Sequence, residues 1–262
     1  MEKDRTWEIV KLARDPNRLT GSDFVQNVFH GFFELHGDRC FGDDPALMGG
    51  PAWLDDLRVM LLAQDRKRSP GGSQEKHFGM LEPEGYRKSL RLFRQAEKFH
   101  LPVVCLVDTP GAYSGIESEY RGQASAIAFS LRELARLKTP VISIILGQGG
   151  SGGALALAAA GAVYMFENSV YSILSPESFA NILFKDPTRK VEAARAMKMT
   201  AQDLYELGVI DGIIPEDPEG NWVHPEKSYK AVKEVLHKEL DLMMRMSADE
   251  LRTFRMARFR LY

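Results

Sequence analysis

The sequence predicts an α/β protein with largely parallel strand pairing, and three observations carry that prediction. From residue 85 onward, segments of helical period alternate with short apolar runs of strand length. Two of those runs, LPVVCLVD (101–108) and TPVISIILG (139–147), are almost wholly apolar, as strands covered on both faces are. Each then enters a glycine-bearing loop, DTPGAYSG or GQGGSGG, with a further helical segment beyond it. Strands joined through helices in this way pair in parallel.

The elements follow in order. Residues 5–14 and 22–36 place Ile9, Leu12 and Ala13, then Phe24, Val28, Phe32 and Leu35, at helical spacing, with Thr20 or Ser22 as a cap for the second helix. HGDRCFGDDPALMGG (36–50) is rich in turn formers and reads as loop. LRVMLLAQ (57–64) is a buried strand. The polar stretch DRKRSPGGSQEKHFG (65–79) is expected to be mobile, and a loop of this length beside a core strand points to function, with His77, Phe78 and Gly79 as a lid. A helix over 85–100 sets Tyr86, Leu90, Phe93 and Ala96 on one side, and another over 122–138 runs through Ile127, Leu131 and Leu134. AVYMFE and VYSILS, within 162–175, are strands. Residues 189–208 and 225–262 return to helix, the latter interrupted near Ser247.

Composition narrows the function. The 262 residues are 44% hydrophobic and 27% charged, with a net charge of -2, which gives no reason to expect nucleic acid or a membrane surface as partner. No apolar run is long enough to span a bilayer, and the charged start MEKDRTWEIVKLARD lacks a signal-peptide core. Cys40 and Cys105 lie far apart, which argues against a disulfide framework or a zinc site in this chain. A soluble cytoplasmic protein is expected.

The segment GQGGSGGALALAAAG (147–161) fits three motifs at once. Gly147, Gly149 and Gly152 match a dinucleotide fingerprint, with Glu167 as the ribose acid, yet two strand–helix units precede it and Gly161 follows within three turns. Gly149, Ser151 and Gly153 match a nucleophile elbow; His224 or His237 with Asp186, Asp203 or Asp211 would complete it, but nothing in the sequence brings them to Ser151. DTPG (108–111) resembles a GTPase element without the phosphate loop it would serve. The third reading takes the two glycine loops together. If their strands are neighbours, their backbone amides converge into an oxyanion hole, with plain strand-to-helix turns as the alternative.

An ordered series of segments resembles one known family along nearly the whole chain. FELHGDRCFGDDPALMGG (33–50), FGMLEPEGYRKSLRLFRQAEKF (78–99), PVVCLVDTPGAYSG (102–115), RGQASAIA (121–128), GQGGSGGALALA (147–158), YSILSPES (171–178) and LGVIDGIIPE (207–216) are similar to the α subunit of bacterial acetyl-CoA carboxylase carboxyltransferase. The resemblance implies a crotonase-like (ClpP/crotonase) spiral of ββα units with N- and C-terminal helices. Residues 1–262 would form one domain, with helical extensions at about 1–36 and 225–262. It implies an α2β2 heterotetramer with a zinc-ribbon β subunit, in a larger ATP-dependent complex with biotin carboxylase and a biotin carboxyl carrier protein. The reaction implied moves CO2 from carboxybiotin on the carrier to acetyl-CoA, giving malonyl-CoA for fatty-acid synthesis, with no metal in this chain.

Such a reaction needs position and charge stabilisation more than a catalytic base. The resemblance therefore assigns the amides of Gly149, Gly150, Gly152 and Gly153, with Gly111 and Ala112 opposite, to the biotin ureido oxygen. Tyr113, Gly115, Ser151 and Gln148 would line the biotin pocket. Arg87, Arg91, Arg94 and Lys98 share a helical stripe, read as a solvated face or, second, as a dock for an acidic carrier or CoA phosphates. Glu119 and Arg121 read as a structural pair. Several positions depart from the family pattern: Ser114 for Pro, Glu119-Tyr120 for an acidic pair, Gln148 for Glu, Ser178 for Gly, and Gln64-Asp65-Arg66 for Gln-Lys-Gly. A paralogue using another acyl-CoA, a biotin-independent acyl-thioester enzyme and a non-catalytic assembly subunit remain as alternatives.

Overall fold

The computed structural model describes residues 4–66 and 75–260, so the middle of the 65–79 loop lies outside the described residues. Two helices open the chain. In α1 (Arg5–Ala13) the Asp4 side chain accepts the Trp7 amide, and α2 (Gly21–Val28) starts on a capping box of Thr20 and Asp23. The second helix is shorter than its apolar spacing predicts. Phe29 is extended, Gly31 takes φ +59°, and residues 29–35 run beside strand β1 (Leu47–Leu54), with the amides of His30, Phe33 and Leu35 donating to the carbonyls of Trp53, Pro51 and Gly49. Phe32 and Leu35 thus fall at helical intervals while belonging to an extended segment.

The end of the stretch read as loop is in fact β1. It forms an antiparallel hairpin with β2 (Leu57–Gln64), Pro51 opposite Met60. Gly49, Gly50 and Pro51 hid it, since neither residue type favours a strand interior. Gly50 is required there because a Cβ would stand 2.0 Å from the Phe33 carbonyl oxygen.

The alternation the sequence predicts from residue 85 is present, with helices at 116–120 and 176–184 and a strand at 212–214 that it did not show, and the VYSILS strand ends at Ser172. A 3-10 turn (His77–Gly79) leads into α3 (Pro83–Lys98), β3 (Val103–Thr109), the short α4 (Ile116–Tyr120), α5 (Gln123–Arg136), β4 (Val141–Gly150) and α6 (Ser151–Ala158). Next come β5 (Ala162–Phe166), β6 (Val170–Ser172), α7 (Pro176–Phe184), α8 (Lys190–Met197), α9 (Ala201–Glu206), β7 (Gly212–Ile214), α10 (Pro225–Met243) and α11 (Ala248–Arg258). The sheet order is β1-β2-β3-β4-β5-β7, parallel beyond the first hairpin, with β6 pairing the far end of β4.

Side chains of β3 alternate between two apolar layers, as a strand's period of two requires. Val103, Cys105 and Val107 meet α3, α5 and α6, through residues such as Phe93, Leu134 and Leu157. Val104 and Leu106 face the layer formed with α2, α10 and α11, including Phe24, Leu240 and Leu251. The C-terminal helix is pinned by Arg255, which is 1% exposed and donates to the carbonyls of Leu134, Leu137 and Thr139. The break near Ser247 is a capping box, Ser247 with Glu250.

The basic stripe on α3 is not simply solvated. Arg87 bonds Asp38 and Glu84 at 2.7 and 2.6 Å, Arg91 donates to the carbonyls of Leu35, His36 and Gly37, and Arg94 bridges to Glu133. Arg121 pairs with Glu82 and Glu84 rather than with Glu119. Helical spacing gave the shared face correctly, but the loop and helix packed on it come from distant sequence.

Candidate functional site

The two glycine loops leave neighbouring strands at the same end of the sheet. β3 and β4 pair in parallel from Val103↔Val141 to Val107↔Ile145, and the register then shifts so that Thr109 faces Gly149. Parallel neighbours end together, so their exits form one crevice. At that crevice the loops touch backbone to backbone. A Cβ on Gly150 would lie 2.1 Å from the Pro110 carbonyl oxygen and 2.7 Å from the Gly111 nitrogen, and one on Gly153 would lie 2.6 Å from the Ala112 nitrogen. Neither position tolerates a side chain, because the obstructing atoms are main chain.

Helix α6 begins directly at this contact. Gly150 is its cap residue and contributes no side-chain bond, so the amides of the first turn have no intrahelical acceptor and, among the described residues, no side-chain cap. They present the positive end of the helix dipole to the crevice. Ser151 makes the turn with φ +51°, a left-handed backbone in a non-glycine residue, which carries a cost of roughly 1–2 kcal/mol. The strand therefore reverses into the helix at a sharp elbow.

The assigned residues divide into those the fold brings together and those it keeps apart. Gly150, Gly153, Gly111 and Ala112 meet. On the opposite loop the Gly111 amide is engaged by Thr109 Oγ1 at 3.2 Å, whereas among the described residues the Ala112 amide donates to no protein acceptor. Gly149 packs against Tyr171 on β6, and a Cβ on Gly152 would stand at an ordinary 3.5 Å from Ile127. Tyr113 stacks on His77 with ring centroids 4.0 Å apart, and Gly115 makes room for the Tyr113 ring. His77 and Phe78, both at positive φ, thus close the long loop against this end of DTPGAYSG.

A buried polar support underlies the crevice, and its centre, Asp108, was missed in the sequence although Gln64, Arg66 and Gln148 stood out there as departures. Asp108 is fully buried; one carboxylate oxygen accepts the Gln148 amide at 2.9 Å and the other accepts Arg66 Nε at 2.9 Å. Gln64 accepts the Asp108 amide and donates to the Gly153 carbonyl, linking both loops to β2. An acid closing an apolar run was the available signal for Asp108. Gln148 is half-buried and, with Pro110 and Arg14, borders two cavities of ≈ 410 and ≈ 180 Å³; Gly149 and Gly150 line the smaller. On the other side, Ser151 and Gly152 open on an apolar cavity of ≈ 580 Å³ with Leu155, Ile173, Phe179 and Phe259.

The competing motif readings lose their partners. His224 bonds Asp217 and His237 bonds Asp55, and among the described residues no histidine or acid lines the cavity at Ser151 to make a nucleophile triad. Glu167 stands 3.6 Å from Arg5 and accepts the Glu216 amide, while Gly147 is closed in by Ala13 and Asp108. Among the described residues there is no cluster of His, Cys, Asp or Glu that could hold a metal, and no helix long and apolar enough to cross a membrane.

Comparison with known proteins agrees over the whole length. The acetyl co-enzyme A carboxylase carboxyltransferase-like family matches residues 2–262. The acetyl-coenzyme A carboxylase carboxyl transferase subunit alpha of Clostridium botulinum (strain Eklund 17B / Type B) is 50% identical over 254 residues, 97% of this chain and 93% of that protein. The subunit of the same description from Anoxybacillus flavithermus is 47% identical over 94% of this chain and 75% of its own length. Among solved structures, transcarboxylase 12S with methylmalonyl-coenzyme A bound superposes with a TM-score of 0.70 at 20% identity, covering 90% of this chain and 44% of that one. A Pseudomonas malonate decarboxylase hetero-tetramer with coenzyme A gives 0.68 at 18% identity, covering 82% and 86%. The chain shares with them the crotonase-like fold.

Proposed function

Because the chain belongs to the acetyl co-enzyme A carboxylase carboxyltransferase-like family, we propose that its two glycine loops hold the reacting ends of carboxybiotin and acetyl-CoA during carboxyl transfer. It is a carboxyltransferase α subunit: with a β subunit it moves CO2 from carboxybiotin, carried on a biotin carrier protein, to acetyl-CoA, giving malonyl-CoA. The whole chain, 1–262, serves as the carboxyltransferase domain. The β subunit, bearing the zinc ribbon, completes an α2β2 assembly.

The observation that carries this reading is the backbone contact of Gly150 and Gly153 with Pro110–Ala112, which holds the two loops side by side and leaves no room for a Cβ between them. The residues fit a flat ureido oxygen. The Ala112 amide and the uncapped first turn of α6 supply donors, and the space at Gly111, where a Cβ would meet nothing within 4 Å, stays open. Carboxybiotin supplies the activated carboxyl group when bound. This chain's part is electrostatic and positional. Amides fixed in a rigid backbone stabilise negative charge on the oxygen they face, and they need no reorganisation as the charge develops. Asp108 holds the Gln148 amide and Arg66, so the elbow keeps its place relative to β3. Tyr113, Gly115, Ser151 and Gln148 border the approach to the crevice.

Reconstitution with a cognate β subunit tests the proposal. Malonyl-CoA decarboxylation should require both chains and biotin. Decarboxylation without biotin would favour a biotin-independent acyl-thioester enzyme, and no turnover by the pair would leave an assembly role only.

A further inference from the structure

The basic stripe that the sequence singled out on α3 lines a concavity of ≈ 430 Å³, shared with Arg39 from the 36–44 loop. Its charges are unequal in their surroundings. Arg87 is answered by Asp38 and Glu84, and Arg94 by Glu133. Among the described residues, Arg39, Arg91 and Lys98 have no carboxylate within salt-bridge distance: Arg39 and Arg91 donate to backbone carbonyls, and Lys98 stands over the Phe99 ring. Burial, and then the neighbouring Arg39 charge, lower the Arg91 pKa and outweigh the opposing charges of Asp43 and Asp38.

The loop that displays Arg39 is built for it. The amides of Cys40, Phe41 and Gly42 all donate to one Asp38 carboxylate oxygen, and Arg39 takes φ +65° at the tip. Large aromatic rings lie in the open close by in the chain, Phe41 at 70% exposure on the Arg39 loop and Phe99 at 60% beside Lys98. Arginines beside exposed aromatic rings are the composition of a protein interface rather than of a small-anion pocket. From Arg87 to Lys98 the stripe runs about 16 Å along the helix. Its near end connects to the crevice: Arg87 donates to the Arg121 carbonyl, and Gln123 donates to the Tyr113 carbonyl in the DTPGAYSG loop.

We propose that this groove docks an acidic protein surface, that of the carrier domain that brings biotin to the crevice. The assignment rests on the carboxyltransferase reading above and adds to it a place for the carrier on the α chain. Charge complementarity of this kind acts mainly on encounter and is screened by salt.

The test compares the reconstituted α–β enzyme with Arg39→Glu, Lys98→Glu and the double substitution, all at exposed side chains. With carboxylated carrier as donor, the double variant should raise KM for the carrier about tenfold and leave kcat within twofold, and the rise of KM with ionic strength should flatten. With free biotin in malonyl-CoA decarboxylation, the same variant should match the wild type, which also shows that it is folded. Lys230→Glu, a matched charge reversal on α10, should leave KM for the carrier unchanged. An unchanged carrier KM in the double variant, or an equal rise in Lys230→Glu, overturns the docking assignment while leaving the carboxyltransferase reading intact. A wild-type pair inactive with free biotin and with carrier alike overturns both.

Discussion

Replacing Gly150 by alanine should disable transfer by forcing the two glycine loops apart. The added Cβ would stand 2.1 Å from the Pro110 oxygen, 2.2 Å from its carbon and 2.7 Å from the Gly111 nitrogen. These are backbone atoms and cannot swing aside. Reaching ordinary contact at 3.4 Å requires the two loops to part by about 1.3 Å. A displacement of that order in a positioned site costs roughly a hundredfold in rate, or about 2.7 kcal/mol in the barrier. Gly152→Ala is the natural comparison, because its Cβ would sit at an ordinary 3.5 Å from Ile127 and its amide is retained. The assay is kcat for malonyl-CoA formation by the reconstituted pair, with thermal melting and co-elution with the β subunit as checks on folding. Gly150→Ala should lose about a hundredfold in kcat and Gly152→Ala no more than severalfold. If Gly150→Ala keeps kcat within threefold of the wild type, loop-to-loop contact does not set the position of the donors.

Two further predictions concern what holds the chain together. Arg255→Ala takes the guanidinium from three buried carbonyls at and just past the end of α5, of which, among the described residues, only that of Leu134 keeps a second donor, the Leu137 amide. It should lower stability by roughly 2–4 kcal/mol, seen as a fall in Tm. Burial raises the Asp43 pKa, but the Gly37 amide, Lys88 and His36 outweigh it and hold the carboxyl at about 2. A depressed acid stabilises above its unfolded pKa and loses that contribution as pH falls through the folded one, so the loss lies between about pH 4 and 2. Asp43→Asn should remove that part of the acid transition, roughly 1 kcal/mol after allowance for its partial exposure, as read from denaturant midpoints against pH.

Much of this arrangement was legible in the sequence where physics is local. Apolar β3 and β4, their glycine exits and the helices between them follow from period and composition, and the Ser247 break from its capping residues. What escaped depended on contacts between distant segments. β1 was hidden because Gly49, Gly50 and Pro51 look like turn formers, yet they serve an edge strand pressed against residues 29–35. The glycines of the 147–153 segment looked equivalent as letters. Only the packed loops separate Gly150 and Gly153, which admit no Cβ, from Gly152, which does. Gly111 and Ala112 likewise part company through Thr109, whose hydroxyl engages one amide and leaves the other.

The most direct measurement of the central claim is a single-turnover transfer with isotopically labelled carboxyl on the biotin carrier, mixed with acetyl-CoA and the reconstituted pair. Labelled malonyl-CoA should form with both chains present and fall about a hundredfold with Gly150→Ala. Label that stays on the carrier, or transfer that proceeds equally well with the β subunit alone, would contradict a catalytic role for the paired glycine loops.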